Sequence, residues 1–393
     1  MSFEILETET RGTIIKVVGV GGAGGNAVQH MIARGVQGVE FICANTDHQA
    51  LARSSSKNIL QLGRTGLGAG SRPEAGRAAA EEARDRIADA LRGAHMVFIT
   101  AGMGGGTGTG AAPIFAEIAK ELGILTVAVV SKPFEFEGPK RMKLAETGVT
   151  QLEDTVHSLI VILNNKLEEV MGEDAEMAEC FRAADDVLHN ACAGIAEIIN
   201  VPGLVNVDFE DVKTVMSEQG KAMMGTALAS GLDRARIAAE QAVASPLLEG
   251  VDLSGARGVL VNITASSSLK MKETREVMNT IRAFAADDAT VIFGTVCDEA
   301  IGDGLRVTVV ATGLGRAASK KQSTPFTVVR TGTDNAPLSV SIATSHGPSS
   351  DYSDFEKPAI WRTRESAQAR VAAMEDTGAE RYDIPAFLRK QAD

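Results

Sequence analysis

Two clusters of glycine stand where apolar runs, typical of buried strands, give way to helical stretches. The first, Gly-Gly-Ala-Gly-Gly-Asn at 21–26, follows the apolar run 13–20. The second, Gly-Gly-Gly-Thr-Gly-Thr-Gly at 104–110, lies between the strand predicted at 96–101 and the helix predicted at 111–122. Glycine lets the backbone approach a ligand without an intervening Cβ, and the free N–H groups at a helix start attract anions. Both clusters therefore predict anion-binding turns, although a plain tight turn is the alternative for the cluster at 104–110.

The glycine clusters lack the lysine of a Walker P-loop, since no G-x-x-x-x-G-K-[ST] sequence occurs. Phosphate charge must then be met by backbone N–H groups, by the hydroxyls of Thr107 and Thr109, and by Mg²⁺. Arg141, which follows the strand predicted at 124–131, is the best candidate for a side-chain cation. Its alternative is an ordinary solvated helix residue. The sequence thus predicts a polyphosphate site built mainly from backbone.

A dinucleotide-dependent oxidoreductase is the second class of protein to weigh. Gly19, Gly21 and Gly24 satisfy the G-x-G-x-x-G fingerprint, and Asp47 follows the next apolar run as a ribose-binding acid would. This hypothesis leaves 104–110 unexplained, and the six histidines offer no obvious catalytic His–acid pair. Two anion-binding turns on neighbouring strands favour one long polyphosphate instead.

Four segments together resemble the FtsZ family, the bacterial tubulin-like division GTPases. They are Gly-Val-Gly-Gly-Ala-Gly-Gly-Asn at 19–26, the heptad at 104–110, Phe-Glu-Gly at 136–138 and Asn-Val-Asp-Phe-Glu-Asp-Val at 206–212. The similarity runs from about residue 13 to 315 and resumes in Asp-Ile-Pro-Ala-Phe-Leu-Arg-Lys at 383–390. It implies an α/β, tubulin/FtsZ-like fold: a Rossmann-like parallel-sheet GTP-binding domain joined by a long central helix to a smaller α+β domain, with a disordered C-terminal tail.

The resemblance also implies an activity and a site. GTP or GDP, with Mg²⁺ carried through the nucleotide, is expected on Gly22, Ala23, Gly24, Gly25, Asn26, Gly105, Gly106, Thr107, Gly108, Thr109, Glu137, Arg141, Asn164, Asp185 and Asp186. No dedicated metal ligands are expected. The loop Gly-Arg-Thr-Gly-Leu-Gly-Ala-Gly at 63–70 is shorter than in the family, but Ala69 and Gly70 still offer backbone donors near the phosphates.

The guanine reader is expected on the long helical stretch 176–200. A carboxylate accepts from guanine N1–H and N2–H together, whereas adenine presents an acceptor at N1, so an acid selects guanine. The family's base-contacting residue matches Asp186, with Asp185 at the adjoining position and Asn164 on the base side. Without the resemblance, the two aspartates are a solvated helix face and Asn164 is an ordinary strand-ending turn.

The catalytic group is expected in the segment 206–211. By itself, Asp208 resembles a helix N-cap, with Asp211 near the positive end of the dipole. The resemblance implies instead that Asn206, Asp208 and Asp211 of one subunit reach over the γ-phosphate held by the next and position the attacking water. Hydrolysis would then depend on head-to-tail polymerisation into the division ring at the septum. The alternative is a non-hydrolysing nucleotide-dependent scaffold or a specialised paralogue, against which the presence of both acids speaks.

Composition agrees with a protein of the cytoplasm. The chain has 393 residues, 44% hydrophobic content and a net charge of −12, which disfavours nucleic acid and anionic membranes as partners. Its four cysteines form no C-x-x-C pair, and no apolar run is long enough to insert in a membrane. Composition therefore predicts a cytoplasmic location, and the resemblance implies the mid-cell division site on the inner face of the membrane.

Six segments are expected along the chain: a flexible N-terminus at 1–12, the GTP-binding domain at 13–175, the connecting helix at 176–202, the α+β (GTPase-activating) domain at 203–315, a flexible linker at 316–380 and a partner-binding peptide at 381–393. In the last, Ile384, Phe387 and Leu388 have i, i+3, i+4 spacing. This pattern is typical either of a frayed tail or of a ligand that binds a groove as a helix. Resemblance favours the ligand, recognised by membrane-tethering and regulatory division proteins.

Overall fold

The computed structural model describes residues 12–172, 174–201, 203–218, 220–244, 256–286 and 288–314. The strands are β1 Ile15–Val20, β2 Val39–Asn45, β3 Asn58–Gln61, β4 Met96–Gly102, β5 Leu125–Lys132, β6 Ser158–Leu163, β7 Gly220–Ser230, β8 Gly258–Ala265, β9 Thr290–Cys297 and β10 Gly304–Leu314. The α-helices are α1 Gly21–Ala33, α2 His48–Ala52, α3 Pro73–Glu82, α4 Arg84–Leu91, α5 Thr107–Glu121, α6 Pro139–Thr155, α7 Asn164–Met171, α8 Met177–Asn200, α9 Phe209–Met216, α10 Arg234–Val243 and α11 Met271–Arg282.

The first half of the chain forms a parallel sheet in the order β3-β2-β1-β4-β5-β6. Its central strands are continuous apolar runs, as both faces of a doubly wound sheet are covered by helices. β1 and β4 are buried along nearly their whole length. The predicted parallel α/β architecture is therefore confirmed.

The second half continues the same sheet. β7 lies parallel to β6, with Ser158 opposite Gly220, and pairs with β10 in the antiparallel direction. β10 is antiparallel to β8, and β8 is parallel to β9. The ten strands of the described residues therefore form one continuous sheet, and the sequence did not predict the junction between its two halves.

Helix α8 packs against both halves. Leu188 and Ile195 belong to a core that contains Phe98 of β4 and Val129 of β5 as well as Leu260 of β8 and Val310 of β10. A second core lies between the parallel strands and α3, α4 and α5, and a third between β8, β10, α10 and α11. The 24 residues of α8 span about 36 Å at the usual helical rise, so its two ends serve different parts of the molecule.

For three of the expected segments, the structure describes few or no residues. The N-terminus up to residue 11, the linker at 316–380 and the peptide at 381–393 lie outside the described residues. Among the described residues, no helix is both long and apolar enough to cross a membrane.

Candidate nucleotide site

The first glycine cluster is the opening turn of α1 and not a loop before it. Gly21 follows β1 directly with φ +78°, and the helix begins at this residue, inside the glycine cluster itself. A Cβ on Gly24 would lie 2.3 Å from the carbonyl oxygen of Thr100, whereas one on Gly22 or Gly25 would meet nothing within 4 Å. Gly24, predicted as a ligand residue, therefore lets the helix pack on the sheet. Gly22 and Gly25 leave space open on the cleft side.

The second cluster turns the chain from β4 into α5. Gly104 has φ +95°, and the helix begins at Thr107. The first backbone-to-backbone hydrogen bond of the helix start is donated by the Gly110 N–H to the Gly106 carbonyl, at 3.1 Å. The preceding N–H groups of the helix start therefore have no partner one turn back, which is the arrangement that binds phosphate.

The two clusters line one continuous cleft at the carboxyl ends of β1 and β4. It has two lobes of about 680 and 410 Å³, which share Gly22, Asn26, Gly106 and Thr107. The larger lobe extends beneath the loop 68–71, so Ala69 and Gly70 lie where the sequence predicted backbone donors. The Thr107 hydroxyl lies 2.6 Å from that of Thr46, a residue that the sequence analysis did not select. A long ligand with one anionic end fits this shape.

Thr109 was predicted to face the phosphates, but it does not line the cleft. Its side chain is buried, is not part of the cleft lining, and accepts a hydrogen bond from the Gly104 N–H at 2.8 Å. Because Thr109 is two residues after Thr107 on a helix, the two side chains point to different faces. The Thr109 hydroxyl therefore holds the glycine turn in shape instead of facing a phosphate.

The smaller lobe ends in a set of groups suited to a purine base. Asn164, at the start of α7, is buried, and its Oδ1 has no hydrogen-bond partner in the described part of the chain. Phe181, Ala184, Asp185 and Leu188 form one stripe of α8 facing the lobe. Burial is the main cause that raises the pKa of Asp185 to about 6, while His30 lowers it and Asp186 raises it further. An amide, an aromatic ring and a carboxylate therefore converge at this end.

Of the two aspartates predicted in the site, only Asp185 lines the cleft. Asp185 lies in the lobe, but Asp186 is one residue on, about 100° around the helix, and is not part of the lining. Its Oδ1 is 2.8 Å from His30 Nε2 and 2.7 Å from Arg34 Nη2 instead. The sequence did contain the signal: Phe181, Asp185 and Leu188 are four and three residues apart, which places them on one face.

Glu137 and Arg141 line the smaller lobe as predicted, but they also pair with each other. Arg141 Nη1 lies 2.8 Å from Glu137 Oε2, and Glu137 Oε1 accepts from the Phe134 N–H at 2.9 Å. Glu137 is thereby fixed, and it offsets part of the Arg141 charge. Arg141 remains half-exposed at the edge of the lobe.

The segment 203–211 lies away from this cleft. Asn206, Asp208 and Asp211 are exposed. Asp208 caps α9, accepting from the Asp211 N–H at 2.8 Å, and Asn206 Oδ1 accepts from the Gly203 N–H at 2.7 Å. Phe209 contacts His95, the residue before β4, whereas the glycine turn follows the other end of that strand. The acids therefore lie at the amino edge of the sheet and the cleft at its carboxyl edge.

The chain matches two family models: the Tubulin/FtsZ family GTPase domain over residues 14–172 and the FtsZ family C-terminal domain over 220–315. It is 54% identical over 393 residues to the cell division protein FtsZ of Coxiella burnetii, covering 99% of each chain. It is 53% identical over 397 residues to that of Pseudomonas aeruginosa, covering 100% of each. A solved structure of an empty FtsZ dimer from M. jannaschii is 41% identical with TM-score 0.74, over 78% of this chain and 89% of that one. With a glycine-lined cleft and a tubulin-like GTPase domain in the same half of the chain, this protein belongs to the FtsZ family.

Proposed function

We propose that this chain is a GTP-binding cell-division protein that assembles head to tail and hydrolyses GTP only where two subunits meet. The observation that carries the proposal is the separation of the cleft from the acids of 206–211. α8 begins beside the cleft, and at 1.5 Å per residue its last residue, Asn200, is about 22 Å further along the axis than Asp185. The chain cannot bring its own acids to its own nucleotide, but a second copy stacked on the first can.

Guanine is the base that this cleft fits. Asp185 is charged at neutral pH, and its two oxygens accept from N1–H and N2–H of guanine. Adenine presents a lone pair at N1 and would leave the buried carboxylate without a donor. The Phe181 ring, 5.2 Å from Phe134 between centroids, offers an apolar face beside that carboxylate. Asp185, in place of Asp186, is therefore proposed as the base-reading acid, with Asn164 beside it.

The phosphates would lie over Gly22, Gly25, Gly105 and Gly106. A Cβ on Gly105 would meet nothing within 4 Å, so this backbone is also bare on its ligand side. Within the described residues, no group of three His, Cys, Asp or Glu side chains is placed to hold a metal. Asn45 and Asp47 line the larger lobe and supply oxygen atoms of the kind that Mg²⁺ prefers. Mg²⁺ would therefore be held largely by the phosphates and would neutralise their charge.

Catalysis follows from what phosphoryl transfer requires, namely position and charge stabilisation. Asp208 and Asp211 of one subunit would polarise and position the attacking water, with Asn206 helping to orient it and to hold the loop. Asp208 holds it by capping α9 through the Asp211 backbone, so the two acids are mechanically linked. A non-hydrolysing scaffold would share the cleft but would have no need of two exposed acids.

The segment boundaries belong to the same proposal. A GTP-binding domain at 13–175, the connecting helix at 176–202 and an activating domain at 203–315 assign the cleft and the acids to different units joined by α8. The peptide at 383–390 would bind membrane-tethering and regulatory division proteins and place the filament at mid-cell on the inner face of the membrane. Deleting 383–393 should leave GTP turnover intact and abolish binding to such a tether.

The experiment for the proposed function is phosphate release from GTP and from ATP as a function of protein concentration. Turnover per molecule should be negligible below a threshold concentration and rise above it, with GTP only. A low, constant rate per molecule supports the scaffold instead. Failure to bind GTP would remove both hypotheses.

A further inference from the structure

Asp186 connects two helices that hold opposite ends of the nucleotide cleft. Its carboxylate lies on α8, and its partners are His30 in the last turn of α1 and Arg34, the residue that ends α1. The first turn of the same α1 presents Gly22 and Asn26 to the cleft. The neighbouring residue on α8, Asp185, lines the base end. A contact made outside the cleft thus joins the helix of the phosphate cradle to the helix of the base reader.

We propose that Asp186 is a positioning residue that sets guanine selectivity: by binding His30 and Arg34 it fixes α8 against α1 and holds Asp185 at the distance that guanine requires. This inference rests on the proposed function, since it assumes that Asp185 reads the base. Asp186 itself is not part of the cleft lining. It acts through its neighbour Asp185, because the rotation of α8 about its axis sets the direction of the Asp185 side chain.

The two partners contribute unequally. The His30 side chain is 19% exposed and that of Arg34 is 56% exposed, so the Arg34 ion pair is the more strongly screened by solvent. His30 also packs edge-on against His189 of α8, with ring centroids 6.1 Å apart, so it is held in place from a second side. The geometry therefore assigns the main share of the positioning to His30 and a smaller share to Arg34.

The test compares dissociation constants for GTP and for inosine triphosphate, which lacks the 2-amino group of guanine. Wild type should prefer GTP, and Asp185→Ala should remove most of that preference. Asp186→Ala should lower the GTP-to-inosine-triphosphate affinity ratio by about tenfold, the size of one misplaced charge-assisted hydrogen bond. Asp186→Asn, which still accepts from His30 and Arg34, should recover most of the ratio. His30→Ala should lower the ratio more than Arg34→Ala.

The matched control is Glu179→Ala. Glu179 is an exposed acid on the same helix, and its ion pair, 3.8 Å to Arg182, remains within α8. This change should leave the ratio of affinities as in wild type. In an Asp185→Ala background, Asp186→Ala should have little further effect on the ratio, because a positioning residue has nothing left to position.

The outcomes separate this inference from the proposed function. If Asp185→Ala loses the preference for GTP but Asp186→Ala keeps it, the positioning role is wrong and the base reader stands. Equal weakening of both nucleotides by Asp186→Ala, or a full additional effect in the double variant, also overturns the inference. If wild type itself fails to bind GTP, or if Asp185→Ala leaves the preference unchanged, the proposed function fails at that step.

Discussion

Phe209 packs edge-on against His95, with 6.0 Å between their ring centroids. His95 immediately precedes β4, and Phe209 lies between Asp208 and Asp211 in the chain. The contact therefore holds the acidic segment under the amino end of the strand whose carboxyl end leads into the glycine turn. The sheet therefore places the cleft and the exposed acids on opposite edges, which is the separation that the proposed head-to-tail filament requires.

Asp211 is predicted to be needed for turnover but not for binding. Asp211→Ala should bind GTP as wild type does, because the residue lies far from the cleft of its own chain. Turnover should fall by roughly 100-fold, the usual loss when a preorganised electrostatic group is removed from a transition state. Mixed with wild type, the variant should also slow the filaments that it joins. Phosphate release and nucleotide binding, measured on the same sample, check both statements.

The control for that experiment is Glu210→Ala. Glu210 is adjacent, exposed and paired with Lys213 at 3.0 Å, so it matches Asp211 in charge and setting. It is expected to retain turnover. Equal losses in both variants would mean that the local charge, and not Asp211 itself, matters.

Asp208 should show separable structural and chemical roles. Asp208→Asn keeps an oxygen for the Asp211 N–H and should leave stability nearly unchanged, whereas Asp208→Ala removes the helix cap and should cost about 1 kcal/mol. Both changes should lower turnover, because both remove the charge. Denaturant unfolding beside phosphate release tests this. Full activity in Asp208→Asn would restrict the residue to its capping role.

Acidification should weaken GTP binding around pH 6. Burial raises the pKa of Asp185 to about 6, and guanine N–H donors favour the charged form. Affinity should therefore be constant at neutral pH and fall by up to about tenfold per pH unit below 6. The same raised pKa favours the folded chain at low pH, since its contribution to stability is lost as pH rises through 6. Protonation of Asp185 therefore does not weaken GTP binding by unfolding the chain. Asp185→Asn should flatten the profile, and an unchanged profile would assign the effect elsewhere.

A side chain at Gly22 should block the nucleotide without harming the fold. A Cβ there meets no protein atom within 4 Å and lies on the lining of both lobes. Gly22→Val should therefore fold with a melting temperature near that of wild type and bind GTP at least about tenfold more weakly, by filling the place of a phosphate. By contrast, a Cβ on Gly108 would lie 2.5 Å from the Gly102 carbonyl oxygen, so Gly108→Val should lose stability first. Normal GTP binding by Gly22→Val would remove this residue from the site.

The sequence predicted the parallel half of the sheet well because each central strand is a continuous apolar run. β4, predicted at 96–101, begins at Met96 and ends at Gly102. β7 was missed since Gly-Lys-Ala-Met-Met-Gly-Thr-Ala-Leu-Ala-Ser has almost no β-branched residues and no alternation. Its long antiparallel pairing with β10 decides its conformation, and such pairing lies in no local pattern.

The sequence correctly placed both glycine clusters at strand-to-helix turns. It did not predict which glycines face the cleft and which allow close packing. The sequence does not distinguish Gly22 from Gly24. The structure shows that Gly24 packs against the Thr100 carbonyl, whereas Gly22 faces open space. The same limit applies to Thr107 and Thr109, and to the two aspartates. Which of two near neighbours faces the ligand depends on helix rotation, and helix rotation is set by tertiary packing.

The most direct test is made at a GTP concentration too low to fill the altered cleft. It mixes two variants that are each nearly inactive there: Asp211→Ala, with an intact cleft, and Gly22→Val, with intact acids. Co-sedimentation with GTP first establishes that both enter the same filaments. If one subunit's acids serve the next subunit's nucleotide, the mixture should release phosphate well above the sum of the separate samples. Shared filaments that release no more than that sum would contradict the account, because the cleft and the acids would then have to work within one chain.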